Sequence, residues 1–123
     1  MARLTRLAEV AQARSGDKGD LANVALFAPT EAVYAELRRQ VTAERVRAHF
    51  GAFVRGRVER FEVPNVLALN FVLHEALGGG AARSLRSDAL GKSFGSLLLR
   101  MEVELDLPAE SMTLRPRPRG DGR

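Results

Sequence analysis

Residues 96–107, SLLLRMEVELDL, set Leu97, Leu99, Met101, Val103, Leu105 and Leu107 in alternation with Leu98, Arg100, Glu102, Glu104 and Asp106. A period of two over this length predicts a strand with one buried and one wet face, ended by Pro108. A one-sided strand of this kind belongs in an antiparallel sheet that carries its helices on one face. Residues 23–28, NVALFA, are apolar on both faces and predict a central strand. Residues 5–13 and 57–63 are two further strand candidates. In the second, Phe61 and Val63 share a face while Val58 falls opposite, a register that a bulge would repair.

Three segments have a helical pattern. In 29–41, Thr30 is placed to cap an apolar stripe of Val33, Leu37 and Val41. In 42–53, Thr42 precedes Glu44 in the first turn, with Val46, Phe50 and Phe53 along one side. Residues 65–77, NVLALNFVLHEAL, follow Pro64 and are apolar almost all round, which predicts a buried helix capped by Asn65 and stopped by Gly78-Gly79-Gly80. The resulting order is β-β-α-α-β-α-β. It predicts one α+β domain over residues 1–108, with a mostly antiparallel sheet, helices on one face and a ferredoxin-like layered sandwich as the nearest simple architecture.

Charge adds a tail to this picture and removes a partner. The chain of 123 residues has a formal net charge of +4. Arg115, Arg117, Arg119 and Arg123 against Asp121 account for +3 of it, so residues 1–114 are nearly neutral. Residues 109–123 thus read as a disordered Arg/Pro/Gly tail, and nothing in the folded part asks for a specific nucleic acid. Without cysteine there is no disulfide framework and no thiolate chemistry, which favours a cytoplasmic setting. The N-terminal residues lack the long apolar run of a signal peptide or membrane span.

Two glycine-rich charged stretches stand out as candidate sites. The first, ARSGDKGDLAN (13–23), reads as a loop too long for a tight hairpin, and it carries Arg14, Ser15, Gly16, Asp17, Lys18, Asp20 and Asn23. Asp17 and Asp20 suit acid–base work, a hydrated metal, or simply turns bonded to their own backbone. The second, GGGAARSLRSDALGKSFG (78–95), offers Gly78, Gly79, Gly80, Ser84, Arg86, Asp88 and Lys92. Its Gly91-Lys92-Ser93 is not a phosphate-binding P-loop, because Arg86 stands where the first glycine is required and a strand follows. Arg and Lys on a glycine backbone still suit a carboxylate or phosphate, with Asp88 to hold Arg86 in place. Asn70 and His74, four apart, share a face of the predicted third helix and could line the floor between the loops. His49 reads as ordinary packing or surface. No zinc pattern, nucleophile elbow or dinucleotide fingerprint is present, and no cofactor is indicated.

The stretches ARSGDKGDLAN, VTAERVRAHF, RVERFEVPNVLALNFVLHEALGGG and SLRSDALGKSFGSLLLRMEVEL together resemble the C-terminal domain of the AtuA-like, acyclic terpene utilisation, family. The resemblance spans roughly residues 7–107. It places the family's RSGDKG stretch on Arg14 to Gly19, its PN…ALNF stretch on Pro64 to Phe71, and its glycine-rich loop on Gly78 to Lys92. It implies a ferredoxin-like domain, here as a free-standing small protein, whose relatives usually follow a much larger domain. The implied setting is the catabolism of branched or terpenoid acids handled as coenzyme A thioesters. It assigns no catalytic residue. The expectations that follow are an accessory subunit that binds an anionic acyl compound or a large AtuA-type subunit, and that self-associates as a homo-oligomer. A small phosphoryl or thioester hydrolase using Asp17, Asp20 or His74, in line with an exopolyphosphatase label carried by some such proteins, is the enzymatic alternative. A structural oligomerisation module is the third.

Overall fold

A computed structural model of the chain describes residues 3–18, 21–76 and 94–107, with the backbone alone at 17 and 18. The largest unit is a four-stranded antiparallel sheet of β2 (Gln12–Lys18), β3 (Leu21–Phe27), β4 (Val58–Val63) and β5 (Ala68–His74), in the order β2-β3-β5-β4. Between β3 and β4 run α2 (Glu31–Gln40) and α3 (Ala43–Phe50), and α4 (Phe94–Leu98) lies between β5 and β6 in the chain. A separate ribbon pairs β1 (Arg3–Arg6) with β6 (Glu102–Leu105), and the single-turn α1 (Leu7–Val10) leads from β1 towards the sheet.

The arrangement is ferredoxin-like with its ends shifted. In the simple form, the strand after the second helix would fill the edge next to the first strand of the unit. Here β2, from the start of the chain, holds that edge beside β3. The last strand, β6, is released to pair with β1 instead.

The helices α2 and α3 each start on a side-chain cap. Thr30 Oγ1 accepts from the Val33 N–H at 3.2 Å, and Thr42 Oγ1 accepts from the Arg45 N–H at 3.1 Å. One face of the sheet, with Val24, Leu26, Leu69, Phe71 and Leu73, packs against Val33, Leu37, Val46 and Phe50 of the helices in a shared buried core. Met101, Val103 and Leu105 extend that core beneath the ribbon.

Four segments differ from their sequence expectation. Among the described residues of 65–77 there is no α-helix: Pro64–Val66 make one tight 3-10 turn and Ala68–His74 run as a strand. An apolar run of this length fits a strand buried on one face and partly covered on the other as well as it fits a helix, and its inner residues Leu69, Phe71 and Leu73 are spaced by two. Residues 94–98 are helical, so the period-two pattern of 96–107 is real only from Met101 to Leu105. Residues 5–13 divide into the end of β1, the turn of α1 and the start of β2. In β4, Phe61 and Val63 face outwards and Val58 lies on the core side; pairing with β5 runs unbroken from Val58↔Leu73 to Val63↔Ala68, so there is no bulge.

Candidate functional site

The helices cover one face of the four-stranded sheet, and among the described residues no helix is packed on the other. Strand alternation decides what this open face carries. Reading across β2, β3, β5 and β4, the register aligns Arg14, Ala25, Asn70 and Phe61 in one row. The next row is Gly16, Asn23, Val72 and Glu59. The last holds Lys18, Leu21 and His74, and the His74 N–H bonds the Arg57 carbonyl beside it. Neighbouring strands lie about 4.8 Å apart, so the two residues flanking any position are within side-chain reach.

Residues 13–23 are therefore not a loop. Gln12–Lys18 and Leu21–Phe27 are paired strands, and Lys18↔Leu21 leaves only residues 19–20 to join them. Gly16 is a strand glycine: a Cβ there would approach Asn23 Oδ1 to 3.3 Å, a tight contact across the pair. Of the residues expected in the site, Arg14, Gly16, Asn23, Asn70 and His74 meet on the open face. Asn70 and His74 are co-facial as expected, although a strand rather than a helix makes them so, since four is a multiple of two. Ser15 pairs with Val24 and belongs to the opposite side of β2; Asp17 holds the register position opposite Ala22. Asp20, Gly78, Gly79, Gly80, Ser84, Arg86, Asp88 and Lys92, and the tail from 109 on, lie outside the described residues.

The strongest polar contact on the face is one the sequence did not announce. His74 Nε2 donates to Glu59 Oε1 at 2.8 Å, and Arg57 Nε stands 3.8 Å from Glu59 Oε2. An ionised carboxylate only accepts, so Nε2 is the donor in this bond. The hydrogen bond from His74 is the main cause that holds the Glu59 carboxyl below its ordinary pKa; partial desolvation opposes it and the Arg57 charge adds to it. Glu59 and His74 are distant in sequence and meet only because β4 pairs with β5. No spacing rule could have revealed them.

Around these polar groups the face is apolar and exposed. Leu21 is 41% exposed, Phe61 49% and Val63 38%, with Val66 at the β4–β5 turn 54% exposed. Among the described residues, no group of three or more His, Cys, Asp or Glu side chains is placed to hold a metal ion, and no helix is long and apolar enough to cross a membrane. His49, as expected of a surface residue, is exposed and donates from Nε2 to the Leu97 carbonyl at 2.7 Å.

A permuted ferredoxin-like sheet with one open, half-apolar face defines an α+β domain. A family model described as the AtuA ferredoxin-like domain matches residues 5–104, and the chain belongs to that family. Comparison with curated proteins and with solved structures gave no match.

Proposed function

We propose that the chain is an accessory module of an AtuA-type system and that the open sheet face docks a large AtuA-type subunit. The observation that carries this reading is the exposure of Phe61, Val63 and Leu21 on the same face as Arg14, Asn23, Asn70 and the Glu59–His74 pair. Apolar side chains gathered on one sheet face and rimmed by polar groups are what a protein interface presents before its partner arrives. The choice of partner is supported by the resemblance, in which the ferredoxin-like domain usually accompanies a much larger one.

This reading favours binding over hydrolysis. His74 has a carboxylate partner in Glu59, as a general base would, but the other residues it faces across the strands are Leu21 and Arg57, and neither is a nucleophile. Branched or terpenoid acid catabolism enters as the setting of the family, and the chain's own contribution is to hold or orient the large subunit.

Co-expression of the chain with a large AtuA-type subunit and capture of the complex tests the reading. Phe61→Asp should abolish co-purification while leaving the fold intact, because position 61 is half exposed. Exposed Glu31→Lys, on α2 at the covered side of the sheet, should leave it unchanged. Capture unaffected by Phe61→Asp would overturn the docking face. Self-association lost in Phe61→Asp, with no capture of the large subunit, would assign the face to a second copy of the chain instead.

A further inference from the structure

A second site lies at the edge of the open face, shares Arg57 with it, and does not rest on the docking reading. Between the start of α3 and the turn that leads into β4 is a groove of about 360 Å³ lined by Glu44, Arg47, Arg55, Gly56, Arg57 and Val58. Its charged lining residues are three arginines and one glutamate. We propose that this groove binds the phosphate group of a small anionic ligand.

The argument rests on how the three arginines are held. Arg47 donates from Nε to the Gly56 carbonyl at 2.9 Å and from Nη2 to the Arg55 carbonyl at 3.3 Å. Those acceptors are neutral, so the guanidinium is fixed in orientation while its charge is not offset. A guanidinium has five N–H groups. Two are used here, which leaves three for a ligand. The turn it grips is pinned from the other side as well. The Arg55 N–H donates to the Glu75 carbonyl at 3.1 Å, the Gly56 N–H donates to the His74 carbonyl at 2.9 Å, and the His74 N–H returns a bond to the Arg57 carbonyl at 3.0 Å. Position 56 must be glycine, since a Cβ would lie 2.8 Å from the His74 carbonyl oxygen. Arg55 and Arg57 are thus presented from a backbone fixed on both sides.

Arg57 is the loosely paired contributor. Its side chain is 70% exposed and reaches Glu59 only at 3.8 Å, a contact that an anion in the groove can outcompete. Glu44 is the single acid among the lining residues and leaves two positive charges in excess. Planar, multiply donating guanidinium groups match phosphate oxygens better than a single-point cation does. Val58 gives the groove an apolar wall against which the body of an organic phosphate can rest.

Calorimetric titration of the intact chain at low ionic strength tests the proposal. The probes are inorganic phosphate, pyrophosphate, adenosine 3′,5′-bisphosphate and malonate. Pyrophosphate and the bisphosphate should bind more tightly than malonate. Arg55→Ala and Arg57→Ala should each weaken them at least fivefold, while Arg100→Ala, an exposed cation elsewhere on the surface, should change them less than twofold. Tighter binding of the bisphosphate than of pyrophosphate would assign the ligand to a nucleotide; equal binding would assign it to free phosphates. Both support the site. No binding to the wild type, malonate binding as tightly as pyrophosphate, or equal weakening by Arg100→Ala would overturn it. Arg55 belongs to none of the open-face rows, so capture of the large subunit by Arg55→Ala separates failure here from failure of the docking reading.

Discussion

The side-chain amide of Gln40 pairs with the peptide group of Glu104 as a neighbouring strand would. Gln40 Nε2 donates to the Glu104 carbonyl at 2.6 Å, and the Glu104 N–H donates to Gln40 Oε1 at 2.8 Å. Two further bonds extend the arrangement. Gln40 Nε2 also donates to Glu36 Oε1 at 3.0 Å, and Arg45 Nη2 donates to the Glu102 carbonyl at 2.7 Å. The outer edge of β6 is thereby occupied by side chains from α2 and α3, which ties the ribbon to the helices and blunts an open strand edge.

Gln40→Ala should therefore cost about 1–2 kcal/mol in urea unfolding, since it removes both bonds to the Glu104 peptide group. Gln40→Glu should cost at least as much at neutral pH, because a carboxylate cannot donate to the Glu104 carbonyl and would face the Glu36 carboxylate. Stability of both variants within about 0.3 kcal/mol of the wild type would show that the contact is ornamental.

The Glu59–His74 contact has a pH signature. The folded-state pKa of Glu59 lies below its ordinary value, with the His74 hydrogen bond as the main cause. A depressed carboxylate pKa contributes stability that is fully present above the unfolded value, about 4.3 for glutamate, and is lost as the pH falls through the folded value. The wild type should thus melt above Glu59→Gln at pH 5.5, and the gap should close below about pH 4. A gap that widened with acid would have the wrong sign. Glu36, lowered chiefly by its hydrogen bond from Arg39, should contribute in the same pH window.

Tyr34 is 6% exposed, and among the described residues its hydroxyl has no hydrogen-bond partner. A buried hydroxyl without a partner is a cost rather than a contribution. Tyr34→Phe should leave stability within about 0.5 kcal/mol of the wild type or raise it. A loss above about 1.5 kcal/mol would mean that a residue outside the described ones bonds this hydroxyl.

The parts of the fold legible in the sequence are those governed by local rules. Thr30 and Thr42 mark their helices because a hydroxyl before an amphipathic stripe has one common use, and both cap as expected. Val33, Leu37, Val46 and Phe50 are buried as their spacing requires. The misreadings fall where one pattern serves two structures. The glycine-rich stretch 13–23 reads as a loop, yet Gly16 lies within a strand. Alternation from Leu97 to Leu107 suggested one strand, although Phe94–Leu98 is helical and Leu98 is fully buried. The open face was partly legible, through Arg14, Asn23, Asn70 and His74. Its partners Glu59 and Arg57 were not, because antiparallel pairing joins positions that no local pattern connects.

The same ambiguity makes β5 a test of the whole topology. As a strand, residues 68–74 bury Leu69, Phe71 and Leu73 on the core side and leave Asn70, Val72 and His74 half covered on the open face. As a helix, the segment would place Val72 beside Leu69 and Leu73 on one stripe, three and one positions away, and would turn Phe71 to the far side. The strand therefore predicts that Phe71→Ala costs about 3–5 kcal/mol and Leu69→Ala about 2–5, while Val72→Ala costs less than either. Urea unfolding of the three variants decides the matter. A Val72→Ala loss equal to that of Leu69→Ala, with Phe71→Ala mild, would restore the helix and dissolve the open face along with it. The open-face rows, the Glu59–His74 pair and the turn at Gly56 all depend on β5 lying between β3 and β4.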